Sequence, residues 1–369
     1  MKVVKVRSPF IIEINEPTQL GSKIEIFIWN DGDTEPATPT YTLSKPIPTI
    51  DQRQTSYNVS NFVKEYIDNT APKPTTAIET NDSNLNWAYF RVKRYWDDDG
   101  TYTLLDNELY IGVNGFTNYM DGIQVPEESR MTLLFNPAIK NTYEKKETYP
   151  DPFIQYLNVL VDFTDSNDVL QIIYERIDGV VYTQDYTFTD LTGIYLFSIG
   201  ITLAKSYNQF INGCKVSIDL YPVDESDRRA SFYTYPICEP KYTPVKCDFI
   251  NRFGGWQTLT FYKAQTNSIT AKSNDYKLMP QNYNYNPLVG QSKSFNFSGT
   301  QSVTLNTGWV DENYSELITD LLLSETVLLD RKPVLLKTQS SELKTKLKNR
   351  MINYTLDFEY NFNLINDVV

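Results

Sequence analysis

"INYTLDFEYNF", Ile352 to Phe362, decides how the rest of the chain is read. Ile352, Tyr354, Leu356, Phe358, Tyr360 and Phe362 alternate with Asn353, Thr355, Asp357, Glu359 and Asn361. A period of two places the first set on one face of a strand and the second set on the other, so one face is buried and one is wet. The same reading applies to "SKIEIFIWN" (Ser22 to Asn30), "WAYFRVKRYW" (Trp87 to Trp96), "LQIIYERI" (Leu170 to Ile177) and "QSVTLNTGW" (Gln301 to Trp309), with turn residues between them. Twenty-seven tyrosines and nineteen phenylalanines suit pleated, half-buried surfaces. The expected fold is mainly β, built of several β-sandwich-like modules with one or two short helices.

The stronger helix is expected at 311–323, in "DENYSELITDLLLSE", where Tyr314, Leu317, Ile318, Leu321 and Leu322 form one stripe. Asp311 and Glu312 put negative charge at its N-terminus, where the helix dipole favours it. The following "TVLLDRKPVLLK" reads as two short strands around a turn at Asp330 to Lys332. A second helix is expected in "NVSNFVKEYI", with Ser60 as its N-cap.

A chain of 369 residues exceeds one small core and is expected to divide into modules. "DNTAPKPTTAIETNDSNLN" (Asp68 to Asn86) reads as a long polar loop, and "NTYEKKETYPDP" (Asn141 to Pro152) as a domain junction. Prolines at 236, 240 and 244 mark a further break. Three modules follow: 1–145, an N-terminal β-sandwich-like module; 146–236, a middle β module; and 237–369, a C-terminal β module carrying the helix. No fixed-period repeat is visible, which disfavours a solenoid or propeller.

Composition excludes several chemistries. Lys and Arg number 34 against 46 Asp and Glu, a formal charge of −12, so nucleic acid is not the expected partner of the whole surface. With no histidine, the chain cannot build a Ser-His-Asp or Cys-His site and lacks the commonest transition-metal ligand. Cys214, Cys238 and Cys247, at spacings of 24 and 9, match no zinc or redox pattern and read as reduced, buried thiols. No apolar run reaches the length of a membrane-spanning helix. "MKVVKVRSPFIIEI" scatters charge among its apolar positions, so no signal peptide is expected and the mature chain is expected to start at Met1.

Three stretches invite a chemical reading. "CDFINRFGGWQTLTFYKA" (Cys247 to Ala264) holds Gly254-Gly255, but a phosphate loop needs a helix after its glycines, and β-formers follow instead. The pair is expected to be the tight turn of a hairpin. "YWDDDGTYTLLDNE" gathers Asp97, Asp98, Asp99, Asp106 and Glu108, the residue types of a calcium site or a glycosidase pair. Asp99-Gly100 between two strands is a hairpin signal, so a solvated acidic turn is the favoured reading. "RKPVLLKTQSSELKTKLKNR" carries Arg331, Lys332, Lys337, Lys344, Lys346, Lys348 and Arg350 against one glutamate. This basic strip on an acidic chain is either a protein interface, for an acidic neighbour or another copy, or a solvated loop. No catalytic residue, cofactor or metal is expected from any of these stretches.

Seven segments carry a resemblance. "KYTPVKCDFINRFGGWQTLTFYKA", "SFNFSGTQSVTLNTGWVDENYSELITDLLLSETVLL", "PVLLKTQSSELK" and "INYTLDFEYNFNLIN" in the C-terminal third resemble structural proteins of tailed phages that infect Bacteroidetes bacteria. "VVKVRSPFIIEINEPTQLGSKIEIFIWNDG", "PTYTLSKPIP" and "YNVSNFVKEYI" near the start are similar to the same group, whereas residues 115–227 carry no such likeness. The resemblance implies a virion component of the tail or baseplate, made in the host bacterial cytoplasm, without enzymatic activity. It implies β-sandwich modules that assemble into a ring or collar with copies of the chain and with other tail or neck proteins, without membrane insertion or sequence-specific nucleic-acid binding. A head-tail connector or neck protein would share the composition. A receptor- or glycan-binding adhesin is the rival from the residues themselves, because exposed tyrosine and tryptophan on β loops also suit sugars. A glycan hydrolase using Asp97 to Glu108 ranks third.

Overall fold

The structure, a computed structural model, describes residues 1–47, 53–70, 79–80, 86–139, 141–144, 156–164, 168–187, 193–200, 213–221, 229–237, 241–279, 283–284, 286–338 and 352–365. It is mainly β, with several separate sheets and two short α-helices among the described residues. The chain forms two compact units: unit 1 is Met1–Glu239 with Asp248–Thr258 and Glu316–Thr326, and unit 2 is Pro240–Cys247 with Leu259–Ser315 and Val327–Val369.

Unit 1 is a stack of four layers. Its six-stranded sheet has the order β4 (Tyr41–Pro46), β3 (Gly21–Asn30), β7 (Trp87–Asp98), β8 (Thr101–Val113), β1 (Lys2–Lys5) and β9 (Glu127–Glu128). The pairs are antiparallel except β1 with β8. On one face Ile24, Ile26 and Ile28 of β3 and Ala88, Phe90 and Val92 of β7 join a core with Ile12, Ile14 and Tyr57 of the two-stranded sheet β2 (Ile11–Ile14) and β5 (Thr55–Asn58). Val63 of helix α1 (Ser60–Lys64) closes this layer. On the other face Val3, Trp87, Ile111 and Val113 meet Leu160 and Leu196 of the next sheet.

That next sheet has the order β10 (Met131–Leu133), β12 (Tyr156–Phe163), β15 (Gly193–Gly200) and β6 (Glu79–Thr80). Its far face, with Val159, Val161, Phe163 and Phe197, packs on Leu170, Ile172, Val216, Ile218 and Phe232 of a five-stranded sheet. The order of that last sheet is β11 (Asn141–Glu144), β17 (Arg229–Ile237), β16 (Cys214–Tyr221), β13 (Val169–Arg176) and β14 (Val181–Thr187). A strand buried on both faces needs apolar residues in succession rather than in alternation, as at Val159, Leu160 and Val161.

Unit 2 is organised by a seven-stranded sheet in the order β19 (Trp256–Phe261), β18 (Val245–Ile250), β22 (Val327–Leu329), β23 (Lys332–Leu336), β24 (Ile352–Asn363), β21 (Ser292–Val310) and β20 (Thr266–Lys277). Along the chain, β18 and β19 each run from one unit into the other. β24 is the strand the sequence led with: Ile352, Tyr354, Leu356 and Phe358 are buried and Asn353, Thr355 and Asp357 exposed. The alternation stops at Phe358; Phe362 is 43% exposed. Helix α2 (Tyr314–Leu322) lies within the expected span, with Tyr314, Leu317, Ile318 and Leu321 buried. No helix among the described residues is long and apolar enough to cross a membrane.

Two local expectations need correction. Ser60 is not the N-cap of α1 but its first residue, and Val59 precedes the helix with no side-chain bond. The Ser60 hydroxyl is used elsewhere: its Oγ accepts from the Phe10 N–H at 2.6 Å and donates to the Ser8 carbonyl at 2.7 Å, tying the helix to the chain before β2. Within the stretch read as a junction, Asn141–Glu144 is a strand that pairs in parallel with Thr234–Ile237, while 145–152 lie outside the described residues. The position expected to end the first module, near 145, therefore falls inside unit 1, where strands from before it pair with strands after it. The break expected near 236 falls beside the boundary between Glu239 and Pro240. Of the long loop, 71–78 and 81–85 lie outside the described residues.

Candidate interaction surfaces

Gly254-Gly255 is a turn between neighbouring strands, as expected, but it is buried and serves a second purpose. Residues 251–255 belong to unit 1 and form a wedge held by both of its inner sheets. Asn251 Nδ2 donates to the Leu134 carbonyl at 2.8 Å, the Trp256 N–H donates to Asn158 Oδ1 at 2.8 Å, and the Phe116 N–H donates to the Arg252 carbonyl at 2.8 Å. Gly254 has φ +87°, and a Cβ there would sit 2.9 Å from the Gly115 nitrogen. The glycines allow backbone to approach backbone.

Beside the wedge, Asp320 of α2 is almost fully buried, with Arg252 Nε 3.6 Å away. Burial pushes its carboxyl up to about 6; Arg252 and Lys5 oppose the rise and Glu316, itself paired with Arg252, adds to it. A carboxyl raised above its unfolded value, about 3.9, favours folding while protonated, and that advantage is lost as pH rises through about 6. Asp320→Asn is expected to stabilise the protein at pH 8 by on the order of 2 kcal/mol, with the gain shrinking to zero near pH 4. Urea unfolding across that range checks it; a pH-independent difference would refute it.

The acidic stretch is a hairpin turn. Asp99 and Gly100 have φ of +55° and +86°, the left-handed pair that a two-residue hairpin demands. Asp97 accepts the Gly100 N–H at 2.8 Å, Asp106 pairs with Arg94 across the strands, and Glu108 pairs with Lys2. Three of its five carboxylates are thus engaged by the turn or by cations of the same sheet.

Of the basic strip, Arg331 occupies the turn between β22 and β23 with φ +67°. Lys332 lies 6.0 Å from the centre of the Tyr360 ring, and Lys337 Nζ is 3.0 Å from Glu359. Lys344, Lys346, Lys348 and Arg350 lie outside the described residues. The described part of the strip is partly neutralised by its own sheet. Cys214 and Cys247 are buried, and Cys238 lies outside the described residues. Burial pushes the Cys214 thiol up to about 11, so it is not a thiolate near neutrality.

One exposed feature among the described residues went unread in the sequence. No residue of β20 is buried, on either face. β21 pairs with β24 only from Thr300 onward, yet it continues to pair with β20 out to Ser292 opposite Lys277. Beyond Thr300 the sheet is therefore a bare two-stranded arm, bulged between Lys272 and Asn274. Tyr276 and Phe295 meet edge-on at 5.5 Å near its end, and Met279 and Leu288 at the tip are 80% and 93% exposed. An isolated two-stranded ribbon is marginal in water, and apolar side chains at such a tip gain by being covered.

Unit 1 carries a second exposed apolar patch. A cleft of about 310 Å³ is lined by Val3, Ile123, Val125, Leu133, Leu134 and Phe253 among others. The loop forming its rim is fixed in place: Gln124 accepts the Lys5 N–H at 2.6 Å and donates to the Lys5 carbonyl at 3.1 Å, and the Thr117 N–H donates to Ser8 Oγ at 2.8 Å. Tyr119 and Val125 on this loop are 96% and 81% exposed. A third surface lies on β17, where the Tyr233 and Tyr235 rings run nearly parallel, 6.3 Å apart, beside Lys215, Glu175 and Arg176. The chain matches no protein-family model and no curated protein sequence.

Proposed function

We propose that this chain is a structural subunit of a tailed-phage virion, a tail or baseplate protein that forms a ring or collar with copies of itself and with neighbouring tail proteins. The observation that supports it best is the arm: a strand with neither face buried, running past the end of its sheet into an apolar tip. The arm's strands carry lysine and a bulge, as exposed edges do, so it is the apolar tip, with Met279 and Leu288 bare, that gains when another surface covers it. The resemblance of both ends of the chain to phage structural proteins supports the same reading. A neck or connector position would use the same surfaces and differs in location alone.

The purified protein is expected to sediment as a discrete oligomer and to form rings in negative-stain images, and gold-labelled antibody is expected at the distal tail of the virion. Label at the neck would move the subunit to the connector. A strict monomer at all concentrations, alone and with tail proteins, would overturn the reading. A second reading, a glycan-binding adhesin, is favoured by the Tyr233 and Tyr235 rings beside hydrogen-bonding charged groups. Label on peripheral fibres, with glycan binding lost in Tyr233→Ala, would decide for it.

A further inference from the structure

The arm tip and the cleft are two different apolar patches, and the segment that forms the cleft's rim is opposite in charge to the arm. The arm segment, residues 266–298, carries Lys272, Lys277 and Lys293 against Asp275 alone. The rim segment of the cleft, residues 117–128, carries Asp121, Glu127 and Glu128 and no cation, although Lys5 lines the cleft itself with its Nζ 4.9 Å from the centre of the Phe253 ring. A chain of formal charge −12 that concentrates lysine on its most exposed ribbon favours an acidic surface there, and the rim offers one on every copy.

Geometry agrees. Between Lys272 opposite Ser298 and Lys277 opposite Ser292 the arm extends about 17 Å at strand rise, enough to carry its tip clear of its own sheet. The cleft, at about 310 Å³, is sized for a few side chains such as Leu278, Met279 and Leu288 rather than for a domain. Its rim is already held by the Gln124 bonds, so little ordering is required on binding.

We infer that the arm tip of one copy seats in the Val3, Val125 and Phe253 cleft of the next copy. This deepens the self-assembly reading above and rests on it. The contact is heterologous: each copy gives a tip to one neighbour and a cleft to the other, so repetition closes a ring or propagates a filament. Lysines on the arm would face Asp121 and Glu128 and set the direction of approach.

A mixing experiment tests it on the full-length chain. Met279→Asp with Leu288→Asp alters the tip, and Ile123→Asp with Val125→Asp alters the cleft; all four side chains are exposed, so the fold is not at stake. In sedimentation velocity the wild type is expected as an oligomer, and each double variant alone as a monomer with association weakened at least tenfold. An equimolar mixture of the two variants is expected as a dimer and no larger, because one intact tip and one intact cleft remain. A photo-crosslinker at Met279 of the otherwise unaltered chain is expected to label residues 117–125 of another copy. A wild-type oligomer with an unaffected cleft variant, or crosslinks elsewhere, would overturn the inference and leave self-assembly standing. A monomeric wild type would remove both.

Discussion

Gly255→Ala is expected to cost several times more stability than Gly179→Ala, and Gly255→Val to prevent folding of unit 1. A Cβ on residue 255 would lie 2.3 Å from the Leu134 carbonyl oxygen and 2.7 Å from Leu134 Cβ, both closer than atoms approach. Neither side can give way easily. The loop is braced from within by Asn251, whose Oδ1 accepts the Phe253 and Gly255 N–H groups at 2.9 and 3.2 Å and whose Nδ2 also donates to Gln257 at 3.0 Å. Overpacking in a closed site costs about 1–3 kcal/mol per added group and more when backbone must move, so about 4 kcal/mol is expected for alanine. Gly179, with φ +84° and nothing within 4 Å of its would-be Cβ, isolates the other glycine penalty, left-handed backbone, at about 1 kcal/mol. Urea denaturation of the two variants gives the ratio; equal costs would mean that the wedge is not seated as described.

Trp87→Ala is the second large effect. Trp87 is fully buried between the six- and four-stranded sheets, with the Tyr89 ring edge-on at 4.6 Å and Leu160 and Leu196 in the same core. Emptying an indole from such a site costs about 3–5 kcal/mol, the transfer of the side chain plus the cavity it leaves. Trp87→Phe is expected to cost less than half as much. It keeps an aromatic ring in the layer and deletes an indole N–H that has no hydrogen-bond partner among the described residues. If Trp87→Phe proved as harmful as Trp87→Ala, that N–H would have to be making a bond that matters.

How much of this was legible depends on what each element buries. β24 and β3 were legible because a strand with one wet face alternates, and the hairpins at Asp99-Gly100 and Asp330-Arg331 because left-handed turn positions restrict residue choice. The four-layer stack was not, since Val159 to Val161 is a run of apolar residues with no period to say which core each one enters. Gly254-Gly255 was legible as a turn, but the surfaces it approaches, at Gly115 and Leu134, are more than a hundred residues away in sequence. The arm escaped for the opposite reason: in "TNSITAKSNDYK" neither face is buried, so no hydrophobic rhythm exists to be seen. The basic strip shows the limit of counting charge, because Lys337 and Lys332 already have an acid and a ring beside them on β24.

The interleaving of the two units also governs when each can be finished. Residues 248–258 and 316–326 of unit 1 are translated after the first residues of unit 2. A nascent chain that has emerged only to residue 239 lacks the wedge and all of α2, and contacts of such sequence separation form slowly. Domain-by-domain completion, the usual order for a growing chain, is not open to unit 1. It must wait until residue 326 leaves the ribosome, by which time the arm, residues 266–298, has already been made.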